Sequence, residues 1–533
     1  MTPTVAGMLL LTLAVSITVM GHDWLRAARV LALMAPLFVW LRWPVQHPGW
    51  RALRFMVVSI MLCLFVVDGV VRAYILSHYA TVPESAMVLA AVANTSEREA
   101  AEFAQSMGHT LWLGLTGAGL AFCAVIALTS VSNRHNAPMG KAWKWGLMAL
   151  LLLASVGFAS KGWRRYHPAV YWSTWMTSIT SLRVSLANQG DERAQLIANA
   201  NAAQPWVAAS GPSTVVLVLS DSVNRDNMSL YGYARQTTPE LSAFSQEEAK
   251  RWLTLSYAWS AAPGTLASLS GIFSFGTRGQ SAPVANHHHI LAMARAAGYR
   301  IWWMSNHDDI AIDQQHARLA HTVEMINRQP GRGSASLDSE LLDCLEEALN
   351  EPAEKKLIVV HMLGAHPDYR RRAPEGMQPF DAADDAVEAQ MVSDGRSLWV
   401  REMRQAYDAA IRYHDDVVTQ TARLTRRHTP AKGQAAWLYL SDHGQEVGHS
   451  VNRVGHSAAT EAGYRIPTLV WRSSAPFPPE ADKRPFRADW AGWLLMDLMN
   501  IRWDAMPRTR NVLDEGYVWE PPSLPLNNVQ FHR

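Results

Sequence analysis

Residues 1–21 and 110–131 contain no charged side chain. No other feature limits this chain's fold as strongly. About 20 helical residues cross a hydrocarbon layer of about 30 Å, and both runs reach that length. Residues 25–43, 53–76 and 144–161 have shorter uncharged cores, with charged residues near their ends where they can snorkel. They bring the expected number of spans to five. The opening run lacks the basic segment of a secretory signal and is read as a retained helix.

The remainder is a different kind of polymer. At 533 residues the chain exceeds the ceiling of about 250–300 residues for one hydrophobic core. Residues after about 165 carry most of the Asp, Glu, Lys and Arg, so the mean hydropathy of -0.06 averages two unlike parts. We expect a transmembrane domain over 1–162, linking helices over 163–210 with "SGPS" as their hinge, and a catalytic domain over 211–533.

Loop charges orient the spans. Arg42, Arg51 and Arg54 lie between spans two and three, and Arg134, Lys141 and Lys144 between four and five. The 77–109 loop carries Glu84, Glu97, Glu99 and Glu102 against Arg98. The positive-inside rule makes the first two loops cytoplasmic and delivers everything after about 162 to the far side. "KGWRRYHP", with Lys161, Arg164 and Arg165, runs against that rule, although a long exported domain can override local charge.

A net charge of +2 and the lack of a basic stripe interleaved with aromatics speak against nucleic acid as a partner. Cys63 and Cys123 fall inside spans, so Cys344 has no intramolecular disulfide partner in the polar part.

In that part, short apolar runs alternate with helical stretches such as 336–350. The runs are "TVVLVLS" (214–220), "RIWWMS" (300–305), "KLIVVHML" (356–363), "AAWLYLS" (435–441) and "IPTLVW" (466–471). This pattern predicts an α/β fold, a central sheet covered by helices on both faces. Ligands of such sheets gather beyond the carboxyl ends of the strands. There the first run meets Asp221, the third Gly364 and His366, and the fourth Asp442 and His443. Carboxylate with imidazole suits zinc or manganese better than calcium. A lone Asp-His pair is equally compatible with a capping Asp beside a solvated His.

Two further segments change that balance: "VLVLSDSVNRDNMSLYGYARQTTPEL" (216–241) and "SAAPGTLASLSGIFS" (260–274). They resemble the metal-dependent alkaline phosphatase and sulfatase superfamily, and within it the membrane-bound phosphoethanolamine transferases that modify lipid A and other envelope glycolipids. Asp221, Leu230, Gly232, Tyr233, Thr237 or Thr238, Pro239 and Leu241 match one family stretch, and Thr265 stands where the family places its nucleophile. "VVHMLGAHPDYRRRAP", "YLSDHGQEVG" and "HSAATEAGYRIPTLVW" are similar to three later motifs.

The resemblance implies Asp221, Thr265, Asp442 and His443 as ligands of Zn2+, a possible second divalent metal, and His366 and His456 near the phosphate. It also implies a substrate loop within 77–109, in which Thr95 and Glu99 match, four apart on one helix face, and Ala91 stands where an Asn is expected. Asn306 marks a substrate-side position, with no Lys near it. A solvated helix end is the competing account of Thr95 and Glu99. Asp221 replaces the usual Glu, Asn224 an Arg, and Gly271 a Cys found in lipid A enzymes.

The implied activity is transfer of phosphoethanolamine from phosphatidylethanolamine to an envelope glycolipid or glycan through a covalent threonine intermediate. The implied location is the bacterial inner membrane, multi-pass, with the catalytic domain in the periplasm. A phosphoglycerol transferase or a hydrolase of the same superfamily, or a non-catalytic scaffold, are the alternatives. His287–His289 read as a surface loop, "YRRRAP" (369–374) as a solvated face, Asp68 with Arg72 as a simple charge pair, and Ser222, Ser268 and Ser270 as capping and turn residues.

Overall fold

The computed structural model describes residues 1–532 apart from 80, 96–98, 102–103, 105–107, 136–139, 276–287, 327–336, 381–384, 475 and 505–508. The chain divides into two compact units: Met1–Ala93 with Met107–Leu182, and Asn94–Ser106 with Arg183–Arg533. Part of the 77–109 loop, and His287, fall outside the described residues.

Among the described residues, the first unit contains five helices long and apolar enough to cross a membrane: α1 (Pro3–Gly21), α2 (Trp24–Arg42), α3 (Pro48–Tyr79), α4 (Gly108–Ser132) and α5 (Lys141–Ala159). Thr2 and Asp23 cap the first two, each accepting a backbone N–H three residues on. Leu10, Val30, Met34, Val58, Leu62 and Val125 are among the side chains that close the bundle's core.

Asp68 and Arg72 do pair, at 2.9 Å, but the pair is buried and larger than two residues. His22 Nε2 lies 3.0 Å from Asp68 Oδ2, and Trp172 Nε1 donates to Asp68 Oδ1 at 3.0 Å. A carboxylate inside the bundle needs these donors, since an unpaired one would carry its full desolvation cost.

The second unit is built on a seven-stranded mixed sheet. In chain order its strands are β1 (Ser213–Ser220), β2 (Trp252–Thr254), β3 (Arg300–Ser305), β4 (Thr322–Met325), β5 (Lys355–His361), β6 (Gln434–Ser441) and β7 (Thr468–Arg472). The spatial order is β2-β7-β6-β1-β5-β3-β4. β6, β1, β5, β3 and β4 run parallel; β7 is antiparallel to both of its neighbours. All five apolar runs became strands, and the edge strands β2 and β4 are additions.

β1 is buried along its whole length. Val215, Leu217 and Leu219 face one core with Ile290, Met293 and Leu494; Val216 and Val218 face another with Phe244, Leu345 and Tyr407. Helices cover both faces, which is why the strand reads as a continuous apolar run. Its register pairs Ser220 with Ser441 and Leu219 with His361, so three neighbouring strands end together.

Two surface readings need correction. His289 is buried, caps the helix Ile290–Ala296 by accepting from Leu291 N, and stacks on Phe273. Arg372 of the arginine run is also buried, while Arg370 and Arg371 remain in solvent beside Glu402 and Asp368. An arginine stem and an imidazole face carry enough apolar surface to pack inward when a loop folds back.

Candidate metal centre

The parallel register sets two carboxylates side by side. Asp221 follows β1, and Asp442 with His443 follows β6; the Asp442 N–H donates to Ser220 O at 3.0 Å, one step beyond the ladder. Ser222 then turns at φ 62, a left-handed conformation uncommon for a residue with a Cβ. That turn aims its N–H at Asp442 Oδ1 (3.0 Å), while its Oγ donates to Asp221 Oδ1 (2.6 Å). Tyr407, on the long helix Leu398–Arg427, donates to Ser222 O at 2.6 Å and fixes the loop.

On the far side of β1, Gly364 adopts φ 56, and a Cβ there would sit 2.7 Å from Asp221 O. Only glycine permits the turn after β5 to approach this closely.

Thr265 opens the helix Thr265–Ile272. Its Oγ1 donates to Asp221 Oδ2 at 3.0 Å and lies 3.4 Å from His443 Nε2. His443 Nε2 is 3.5 Å from Asp442 Oδ2 and 3.9 Å from Asp221 Oδ1, and its Nδ1 donates to Gly444 O at 2.7 Å. With Nδ1 committed to a carbonyl, Nε2 is the atom presented to the acids.

Ligand atoms of Asp221, Asp442 and His443 lie within 4.8 Å of one another, all on buried residues. Asp442 Oδ2 is buried and has no hydrogen-bond donor among the described residues. Four donors held about 2.1 Å from one ion in a tetrahedron stand about 3.4 Å apart. The separations here, 3.0, 3.4, 3.5 and 3.9 Å, bracket that value. The donor set therefore fits one divalent cation of zinc type.

Electrostatics point the same way. Burial raises the Asp221 carboxyl, but the imidazoles of His366, His443 and His307 outweigh it and hold the group well below the usual range. Asp442 moves oppositely: burial, then the charge of Asp221, push it up to about 7. Two buried carboxylates in mutual conflict are a cation's complement.

His456 is half-buried, its ring 4.6 Å from that of His443, and its Nδ1 atom is buried without a partner among the described residues. Burial lowers His456 to about 3 and His366 to about 4, so both are neutral imidazoles at neutral pH.

Asn306 is fully buried, and its amide donates to Asp338 Oδ1 at 2.9 Å. Thr95 and Glu99 are half-buried, and Thr95 O accepts from Arg183 at 3.4 Å. Asn224 donates to Gln445 O and Ala462 O, holding the two loops together. Gly271 packs on Asp489, 3.1 Å from an added Cβ. Ser268 lies within the helix Thr265–Ile272, not in a turn, and donates to Ala262 O.

Sequence reading missed His307, Asp309, His361 and Asn94. His307 Nδ1 faces Asp309 Oδ2 (3.2 Å), Nε2 faces Met362 O (3.0 Å), and the ring stacks on His361 at 4.1 Å. Burial lowers His307, but Asp309 and Asp221 raise it to about 10. Asn94, which groups with the second unit, donates to Asp309 Oδ1 and accepts from Ala311 N. The "NHDD" run was the available signal, since an imidazole two residues from an acid can pair with it.

Residues 213–497 match the sulfatase family model. The chain is similar to "Phosphoethanolamine transferase EptC" of Escherichia coli K12, with 29% identity over 325 residues, covering 57% of this chain and 54% of that protein. The matched stretch thus spans about half the length of that relative. The crystal structure of the C-terminal periplasmic domain of E. coli EptC in complex with Zn superposes with a TM-score of 0.54 at 27% identity, covering 59% of this chain and 90% of that one. The integral membrane lipooligosaccharide phosphoethanolamine transferase A of Neisseria meningitidis shares the fold over 94% of this chain and 98% of its own, with a TM-score of 0.61 and 20% identity.

Proposed function

The chain belongs to the sulfatase family, and from that premise we propose that it is a metal-dependent phosphoethanolamine transferase whose nucleophile is Thr265. Relatives named phosphoethanolamine transferases support the headgroup, and a zinc-bound relative supports the metal. Asp221, Asp442, His443 and the Thr265 hydroxyl are the residues that would hold the ion. When bound, the ion lowers the pKa of a coordinated hydroxyl and offsets charge on phosphoryl oxygens.

The protein's own groups do the rest. Thr265 attacks the phosphorus of phosphatidylethanolamine, the bond to the diacylglycerol oxygen breaks, and phosphoethanolamine stays on Thr265 Oγ1. Neutral His366 and His456 carry the threonine proton to the departing oxygen, a role suited to imidazoles that are uncharged at working pH. In the second half-reaction a hydroxyl of an envelope glycolipid or glycan attacks the same phosphorus, the bond from phosphorus to Thr265 Oγ1 breaks, and the acceptor's proton returns to that oxygen. The two halves give ping-pong kinetics.

Both the donor and the released diacylglycerol stay in the bilayer, which gives the five apolar helices their purpose. The reading places the protein in the bacterial inner membrane with its catalytic unit in the periplasm, divided as 1–162, 163–210 and 211–533. A second divalent ion, and contacts of Thr95, Glu99 and Asn306 with substrate, belong to the same proposal.

The observation that carries it is the position of Thr265 Oγ1, 3.0 Å from Asp221 and 3.4 Å from His443. The test is intact-mass analysis of the full chain after incubation with phosphatidylethanolamine and no acceptor. We expect a gain of one phosphoethanolamine on Thr265, absent from Thr265→Ala and retained by Thr265→Ser. A phosphoglycerol adduct from phosphatidylglycerol, or no adduct on Thr265, would overturn the headgroup or the nucleophile respectively.

A further inference from the structure

The arginines of "KGWRRYHP" oppose the orientation of the spans, and the first unit gives them a use. Arg29 lies two turns into α2, and Arg165 follows the helix that succeeds α5. Arg29 Nη1 and Arg165 Nη2 both donate to the Tyr166 hydroxyl oxygen, at 3.0 and 2.9 Å. The guanidinium carbons of Arg26, Arg29 and Arg165 lie 5.3, 5.2 and 4.9 Å from the Tyr166 ring centroid. Three like charges thus gather on one aromatic ring.

Of these, Arg26 pairs with Glu84. Arg29 and Arg165 have no carboxylate partner among the described residues, and the Tyr166 hydroxyl, which accepts twice, has no acceptor there for its own hydrogen. Arginines elsewhere in the bundle are spent differently. Arg54 is buried and satisfied by Asn133 and the carbonyls of Trp40 and Trp43. A convergence of planar donors with no internal acceptor calls for an anion with several oxygens, and the guanidinium fork matches phosphate.

We propose that Arg29, Arg165 and the Tyr166 hydroxyl form a binding site for the phosphate of a membrane lipid, at the end of the bundle where α2 begins. The ligand is the phosphodiester of a glycerophospholipid or the phosphate of a glycolipid; the chemistry is common to both. The site does not rest on the transferase reading and requires only that the apolar helices lie in a bilayer.

The test uses the full chain in detergent, with lipid retention measured by native mass spectrometry. Three probes are offered: phosphatidylethanolamine, bis-phosphorylated lipid A, and diacylglycerol, which has no phosphate. We expect the wild type to retain phosphate-bearing lipid at least about tenfold over diacylglycerol, in proportion to the strength of charge-assisted bonds. Arg29→Gln with Arg165→Gln should lose most of that preference, and Arg134→Gln, in the loop at the opposite end, should keep it. A loss confined to phosphatidylethanolamine identifies a glycerophospholipid site, a loss confined to lipid A a glycolipid site, and loss of both a shared one.

Arg165→Gln alone, at an exposed position, serves if the double variant does not fold, and should lose part of the preference. Equal retention of diacylglycerol by the wild type, undiminished retention by the variants, or an equal loss in Arg134→Gln would overturn the proposal. Transferase activity is not the readout, so failure here leaves the Thr265 reading standing.

Discussion

Replacing Asp442 by Asn should stabilise the metal-free protein and destabilise the zinc-loaded one. Asn keeps the oxygen that accepts from Ser222 N and His443 N, and it puts an amide where Oδ2 has no donor. In the metal-free fold the Asp442 carboxyl titrates at about 7, raised by burial and then by Asp221, against about 3.9 when unfolded. At 1.36 kcal/mol per unit, the difference is about 4 kcal/mol. Below about pH 4 both states are protonated and the group costs nothing. Between there and pH 7 the folded state holds a proton that the unfolded state has lost, so stability falls as pH rises; above pH 7 the full penalty applies.

Scanning fluorimetry of chelator-stripped protein in detergent should therefore give D442N a midpoint higher by about 5 °C at pH 8, shrinking to nothing near pH 4. Excess zinc should reverse the order. The reversal requires D442N to bind zinc more than about 1,000-fold more weakly, since it then forgoes more than about 4.1 kcal/mol of ligand stabilisation and loses its metal-free advantage. A stripped variant no more stable than wild type at pH 8, or a gain that survives at pH 4, would refute the reasoning.

Gly364→Ala must hold a Cβ at φ 56 and 2.7 Å from Asp221 O, so a cost of at least about 1–3 kcal/mol is expected, read as a lower melting midpoint together with lower zinc content by elemental analysis. His307→Gln leaves Asp309 as a buried acid without its imidazole and should cost about 3–5 kcal/mol in chemical denaturation, most of which Asp309→Asn in the same chain should restore. His456→Ala should keep its zinc and lose about 10²–10⁴ in the rate of adduct formation, measured by stopped incubation and intact mass.

The sheet was legible because its strands are short, apolar and interrupted by Gly, Ser and Asp. β1 is buried on both sides and so needs an unbroken run of Val and Leu, which no exposed segment would tolerate. β2 and β4, with three and four residues, are too short to carry a period. Asp221, Asp442 and His443 were readable because each directly follows a strand, whereas the location of Thr265 came from a family resemblance.

Long-range partners were not readable. Asn94 meets Asp309 across 215 positions of sequence, and Asp442 meets Ser222 across 220. No local pattern encodes such pairs, since they are set by strand register and loop closure. His289 was misread for a related reason: three successive polar residues resemble a loop, yet a helix N-terminus and Phe273 gave the third a buried role.

The most direct measurement is anomalous diffraction at the zinc edge from crystals of the zinc-loaded chain. The account requires a peak about 2.0–2.2 Å from donor atoms of Asp221, Asp442 and His443, with Thr265 Oγ1 in reach of the same ion. A peak held by other residues, or an empty cluster in protein that has bound zinc, would contradict it.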